Sequence, residues 1–223
     1  MDRAARVAAL AAYSTVAPAA FQLMAEVCGG RAVRVGGALF AEGPDPSAEI
    51  LNCAFRVDPT APPERELADA RVHFEPRGFA YTVWSQAGRD RDVDEAALAA
   101  GWTQAIELPA MVVAGPVDEA VVPGATVRAV DTAADRDRFA AIAAETLGEG
   151  DADRRAYRAV LASPDLFRDR CAGYIVQIDG ADAATAWIAV IDGTGLVGWV
   201  GTREPFRRRG LGALVTAVAT NAG

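Results

Sequence analysis

Apolar residues recur with helical spacing over residues 3–27, and Gly29-Gly30 supplies a stop, so the chain is predicted to open on a helix. β-rich segments follow at residues 32–40 and 49–57. Pro62-Pro63 then introduces a charged helix over 64–74, since proline at a helix start removes only amide donors that have no partner there. A strand at 79–85, a helix at 93–100 and a strand at 103–113 complete this first run. Residues 114–124 contain two prolines and two glycines and read as a linker. Beyond it the pattern predicts a strand at 125–130, a helix at 133–147 opened by the Asp131-Thr132 cap, and a second helix at 151–161. Strands at 173–178, 184–191 and 196–202 follow, and an apolar helical pattern runs from Gly210 to the end at Gly223. The two runs predict an α/β chain, a mixed central sheet flanked by helices, arranged as two similar halves over residues 1–118 and 119–223.

Composition narrows the function. A chain of 223 residues with 52% hydrophobic content can bury the core of one large domain or two small ones. Its formal net charge of −8 argues against nucleic acid or an anionic membrane as partner, so any anion site must be local. There is no lysine, and every basic side chain except His73 is arginine, which with the abundant alanine points to a GC-rich bacterial genome. Cys28, Cys53 and Cys171 form no Cys-x-x-Cys pair and have one histidine to assist them, which argues against a zinc site or a disulfide framework and fits a reducing cytoplasm. Arg3 and Arg6 precede an apolar stretch over 7–13, and Ala17-Pro18-Ala19-Ala20 imitates a leader cleavage site. That stretch yields to Ser14 and Thr15, while the amphipathic pattern continues through Phe21, Leu23, Met24 and Val27, so the segment is read as part of the fold. No apolar stretch is expected to reach the roughly 20 residues needed to cross a bilayer.

Candidate chemistry concentrates in residues 196–212. A β-rich run passes through a turn marked by Pro205 into Arg207-Arg208-Arg209-Gly210-Leu211-Gly212, and the helix begins in the glycines. Such a loop aims free backbone N–H groups at one spot, at the positive end of a helix dipole, which suits a pyrophosphate. Gly210 and Gly212 admit phosphate close to the backbone, and the arginines add charge at the rim. A competing motif, Gly193-Thr194-Gly195-Leu196-Val197-Gly198, fits a dinucleotide-binding fingerprint. That fingerprint must open a helix, whereas Trp199-Val200-Gly201-Thr202 continues as strand, so Asp192-Gly193-Thr194-Gly195 is read as a hairpin turn.

Arg207, Gly210 and Gly212 match the fixed positions of Gln/Arg-x-x-Gly-x-Gly/Ala, and the segment resembles the acetyl-CoA-binding motif of the GNAT superfamily of N-acetyltransferases. The order of strand, two helices and three strands over 125–204 is that family's order as well. The resemblance implies that the amides of Arg207, Arg208, Arg209, Gly210, Leu211, Gly212 and Ala213 hold the cofactor pyrophosphate. It further implies that Val200, Gly201 and Thr202 offer backbone hydrogen bonds to the pantetheine arm and orient the thioester. In the first half, Leu98-Ala99-Ala100-Gly101-Trp102 resembles a turn found late in family members. There Asp58-Pro59-Thr60-Ala61-Pro62-Pro63 stands in place of the loop, lacking donors at the prolines and adding a carboxylate, so this half is read as a degenerate copy that binds no CoA.

The reaction implied is direct attack of a small-molecule or peptide amine on the thioester of acetyl-CoA. An amine with a pKa near 10.4 is only about one part in 10³ neutral at neutral pH, so a base should assist. Candidates are Glu145, Glu149 and Glu204; with Asp151 and Asp153, the first two suggest a cationic acceptor. His73 lies in the degenerate half and is read as structural, and neither Tyr157 nor Tyr174 is assigned the general-acid role. The alternative is a non-catalytic acyl-CoA-binding or regulatory module. Because the resemblance implies further strands and a helix after the phosphate loop, the chain is also expected to be an interrupted transferase, with Leu211, Leu214, Val215, Val218 and Ala219 poorly covered.

Overall fold

A computed structural model describes the backbone of residues 3–223 and side chains from Val7 onward. The side chains of Arg3 and Arg6, which gave the N-terminus its leader-like look, lie outside the described residues. The chain divides into two units, Met1–Val112 and Val113–Gly223.

In the first unit, helix α1 (Arg3–Val27) precedes a hairpin of β1 (Arg31–Val35) and β2 (Ala38–Glu42). The single strand expected over 32–40 is therefore two, because Gly36-Gly37 reverses the chain and Gly36 adopts φ +56°. A short 3-10 turn (Glu49–Leu51) leads into β3 (Cys53–Arg56), followed by α2 (Pro63–Phe74), β4 (Thr82–Trp84) and α3 (Arg91–Ala99). The sheet order is β1-β2-β3-β4, antiparallel except for the parallel β3–β4 pair. Helix α1 lays Phe21 and Ala25 on one face of the sheet, against Leu39, Ala41, Cys53 and Phe55. Phe74 of α2 packs on the other, with Ala38, Phe40 and Ala54. Contrary to the sequence expectation, α1 contains a stretch, Val7–Val27, long and apolar enough by length and composition to cross a membrane.

The strand expected over 103–113 does not form. No backbone hydrogen bond engages those residues, Pro109 lacks a donor, and Ile106, Leu108 and Met111 stand exposed. β propensity without a partner strand leaves an irregular segment. His73 takes the structural place expected of it: its ring stacks on Phe40 and its Nε2 lies 2.6 Å from Glu42 Oε1.

Glu66 is 3% exposed, and neither of its carboxylate oxygens has a hydrogen-bond partner among the described residues. Burial raises its pKa to about 7; Arg56 opposes the shift, and Asp90 and Asp92 add to it. Because the folded-state pKa is raised, the contribution of Glu66 to the stability of the first unit is fully present below the ordinary carboxylate value of 4.5 and is lost as pH climbs to about 7. The loss is on the order of 3 kcal/mol. Denaturant titrations at pH 4.5 and pH 8 should show this fall in the difference between the wild type and Glu66→Leu. Equal pH slopes in the two proteins would contradict the assignment.

The second unit runs β5 (Thr126–Ala129), α4 (Ala133–Leu147), α5 (Asp151–Leu161), β6 (Cys171–Ile178), β7 (Ala181–Ile191), β8 (Thr194–Thr202) and α6 (Leu211–Asn221). Thr132 and Asp135 form a reciprocal capping box that fixes the start of α4. All pairs in the sheet, ordered β5-β6-β7-β8, are antiparallel. Asp192 and Gly193, at φ +49° and +74°, make the two-residue turn between β7 and β8, as the hairpin reading required. The dinucleotide fingerprint thus lies in a turn and a strand and opens no helix. Leu211, Leu214, Val215 and Ala219 of α6 are buried with Val176, Ile178, Ala184 and Ile188. Each large side chain among them contributes roughly 1.5–3 kcal/mol. The sheet therefore covers the apolar face that the sequence analysis expected to be exposed.

The units share a four-stranded sheet with flanking helices, but their element orders differ: the first opens on a helix and a hairpin, the second on a strand and two helices.

Candidate functional site

Strand β8 is the edge of the second sheet, and near its end the pairing with β7 slips. Thr185 faces Gly201 and Trp187 faces Gly198, so Trp199 and Val200 together oppose Ala186 in a β-bulge. Trp199 sits at φ +51°, a left-handed conformation that costs a non-glycine residue roughly 1–2 kcal/mol. Two contacts hold it there. The Thr185 hydroxyl donates to the Trp199 carbonyl at 3.2 Å, and Tyr157 of α5 meets the indole edge-to-face with ring centroids 5.4 Å apart.

Past the bulge the ladder resumes, with Arg203 N–H donating to Ala183 O at 2.9 Å. By strand alternation the peptide groups of Thr202 face away from β7, and there the Thr202 carbonyl accepts from Arg207 Nε at 3.0 Å. Gly201 is buried against α4: a Cβ on it would lie 2.0 Å from Thr146 Oγ1. The glycine thus lets the end of the helix reach the end of the strand. Arg203 fastens the same corner, donating from Nε to Glu145 Oε2 and from Nη1 to the Asp182 carbonyl, each at 2.9 Å.

A single 3-10 turn (Glu204–Phe206) leads to the arginines. Arg207 is drawn back to Thr202, and Arg209 is tied to Asp179 at 3.0 Å, with its guanidinium 5.9 Å from the Phe206 ring centroid. Arg208 is exposed at φ +61°. Gly210, at φ +81°, caps α6, and Leu214 N–H is the first to return to the helix, donating to Gly210 O at 3.0 Å. The N–H groups of Gly210, Leu211, Gly212 and Ala213 make no hydrogen bond within the described residues. Four adjacent donors at a helix N-terminus, beside three arginines in a chain of net charge −8, form a local anion-accepting surface.

The acidic candidates are distributed unevenly. Glu145 lies beside the loop but is occupied by Arg203, with about half of its side chain exposed. Glu204 is exposed on the 3-10 turn, where its carbonyl accepts from Arg207 N–H at 3.2 Å. Glu149 is exposed beyond the end of α4, and Asp151 and Asp153 follow in the first turn of α5. Tyr157, Thr185, Thr146 and Arg203 also build this corner, and none of them was expected there from the sequence. The glycines flanking Trp199 and Val200 are the one local signal of a bulge; the other contacts join residues far apart in the chain.

The order strand, two helices, three strands, helix, with an arginine- and glycine-rich loop between the last strand and helix, is that of a GNAT-like fold. No known protein-family profile and no curated protein matches the chain. Among solved structures it is similar to a GCN5-related N-acetyltransferase from Kribbella flavida, at 22% identity and a TM-score of 0.58, over 92% of this chain and 80% of that one. A provisionally assigned acetyltransferase from Pyrococcus horikoshii overlays 48% of this chain and 37% of its own, at 17% identity and a TM-score of 0.40. The first of these likenesses places the chain in the GNAT-like fold class.

Proposed function

We propose that the second unit is an acyl-CoA-dependent N-acyltransferase that transfers an acetyl group from acetyl-CoA to a primary amine. The observation that carries this reading is the run of four unbonded amides at the start of α6, fed directly by a bulged edge strand. The pyrophosphate would rest on Gly210, Leu211, Gly212 and Ala213, with Arg207, Arg208 and Arg209 making the local potential more positive. The pantetheine arm would run along the edge of β8, taking backbone hydrogen bonds from Val200 and Thr202 and presenting the thioester beside the bulge; Gly201, paired with Thr185, turns its own peptide groups toward β7. Likeness to the Kribbella flavida N-acetyltransferase supports the reaction class.

In the reaction, the amine nitrogen bonds to the thioester carbonyl carbon, the carbon–sulfur bond breaks, and the thiolate takes up a proton. A carboxylate acts as base most effectively when no cation holds it. Glu145, locked to Arg203, therefore serves better as an anchor for the corner, leaving Glu204 and Glu149 as candidates to receive the amine proton. The first unit is read as a degenerate copy serving as scaffold.

Steady-state thiol release from acetyl-CoA, measured with an alkyl diamine, an aminosugar and a lysine peptide, tests the reading. Release that depends on at least one amine is expected. Saturable acetyl-CoA binding without any acceptor-dependent release would instead assign a binding module.

A further inference from the structure

The bulge in β8 is held by side chains that belong to neither the phosphate loop nor the strand edge. Thr185 is fully buried on β7, and its hydroxyl serves the Trp199 carbonyl. Tyr157 is 6% exposed on α5, and its ring meets the Trp199 indole at an interplanar angle of 73°. Removing the hydroxyl would take a donor from a part-buried carbonyl at the residue that already carries the unfavourable backbone angle. Removing the phenol ring would free the indole that fixes the same residue from its other end.

We infer that Thr185 and Tyr157 are positioning residues that hold the Trp199 bulge, and thereby the β8 edge at Val200 and Thr202, in the register that receives the acyl-pantetheine arm. This rests on the proposed acyl-CoA site, and it separates two parts of ligand recognition. The amides that would hold the diphosphate lie on α6, beyond the Arg203–Ala183 hydrogen bond that re-establishes the ladder, while Arg207 reaches back to the Thr202 carbonyl. Loss of either positioning residue should therefore weaken the hold on the arm and leave the hold on the diphosphate intact.

The test uses the full chain and two ligands in calorimetry: acetyl-CoA, and 3′-phospho-ADP, which carries the diphosphate without the arm. Thr185→Val and Tyr157→Leu should each raise the Kd for acetyl-CoA at least about tenfold and change that for 3′-phospho-ADP less than about twofold, with Thr185→Ser restoring acetyl-CoA binding. Equal losses for both ligands, or none for acetyl-CoA, would overturn the inference. Amide hydrogen exchange on the ligand-free proteins gives a second reading. Gly201, whose peptide groups face Thr185 on β7, should exchange about tenfold faster in both variants, relative to the middle of α4, and unchanged exchange overturns the inference. If the wild type binds neither nucleotide, the proposed site fails, while the exchange measurement still decides whether the two residues hold the bulge.

Discussion

Gly210→Asp is expected to weaken acetyl-CoA binding at least about a hundredfold, equivalent to roughly 3 kcal/mol, while leaving the second unit folded. Gly210 stands at φ +81° at the head of α6, where its own N–H and the three that follow are unbonded. Aspartate tolerates the left-handed region better than most residues, and the nearest atom to a new Cβ is Val122 Cγ2 at 3.4 Å, so the fold should survive. What the substitution adds is a carboxylate among donors proposed to hold a diphosphate. Charge-assisted hydrogen bonds of that type are worth about 1.5–3 kcal/mol each, and the added repulsion works against all of them together. Gly210→Asn isolates the charge, since it brings a similar shape without the carboxylate, and it should cost about tenfold or less. Calorimetry on the three proteins gives the comparison; equal losses for Asp and Asn would attribute the effect to shape.

Gly201→Ala should destabilise the second unit by about 3 kcal/mol, seen as a fall in its melting temperature on the order of 10 °C. The added Cβ would come within 2.0 Å of Thr146 Oγ1 and 3.0 Å of Thr146 Cβ. The hydroxyl cannot easily move aside, because it is bonded to the Ile142 carbonyl at 2.8 Å within α4. Either the helix end withdraws from the strand or the strand end shifts, and each disturbs the corner where Arg203 meets Glu145. Adding Thr146→Ala removes the closest clash but leaves the 3.0 Å contact, so the double variant should recover most, and not all, of the loss. A Gly201→Ala protein as stable as the wild type would mean that helix and strand do not approach as described.

Elements whose signals are local were legible in the sequence. Helix α4 starts and stops where Thr132 and the apolar period place it, α5 matches its expected span, and the Asp192-Gly193 turn falls where its φ requirements dictate. Errors arose where partners decide the outcome. Residues 103–113 carry strand-forming side chains and find no ladder, and residues 32–40 hide a reversal at a glycine pair. At the candidate site, the loop from Arg207 to Gly212 announced itself because amide donors, glycines and arginines are consecutive. The bulge did not. Its determinants, Tyr157, Thr185 and Trp199, are brought together only by the packing of α5 and β7 on β8, and a tryptophan is not the residue that a left-handed position leads one to expect.

The stoichiometry of acetyl-CoA binding to the whole chain tests the central claim most directly. The second unit offers unbonded amides and arginines at the head of α6. The first places Asp58 between β3 and α2 and the proline pair Pro62-Pro63 at the head of α2, with Asp58 Oδ1 already accepting from the Thr60 amide and hydroxyl. Calorimetric titration of the 223-residue protein is therefore predicted to give one saturable acetyl-CoA site per chain, lost in Gly210→Asp. Absence of binding, or two equivalent sites of which Gly210→Asp removes neither, would contradict the account.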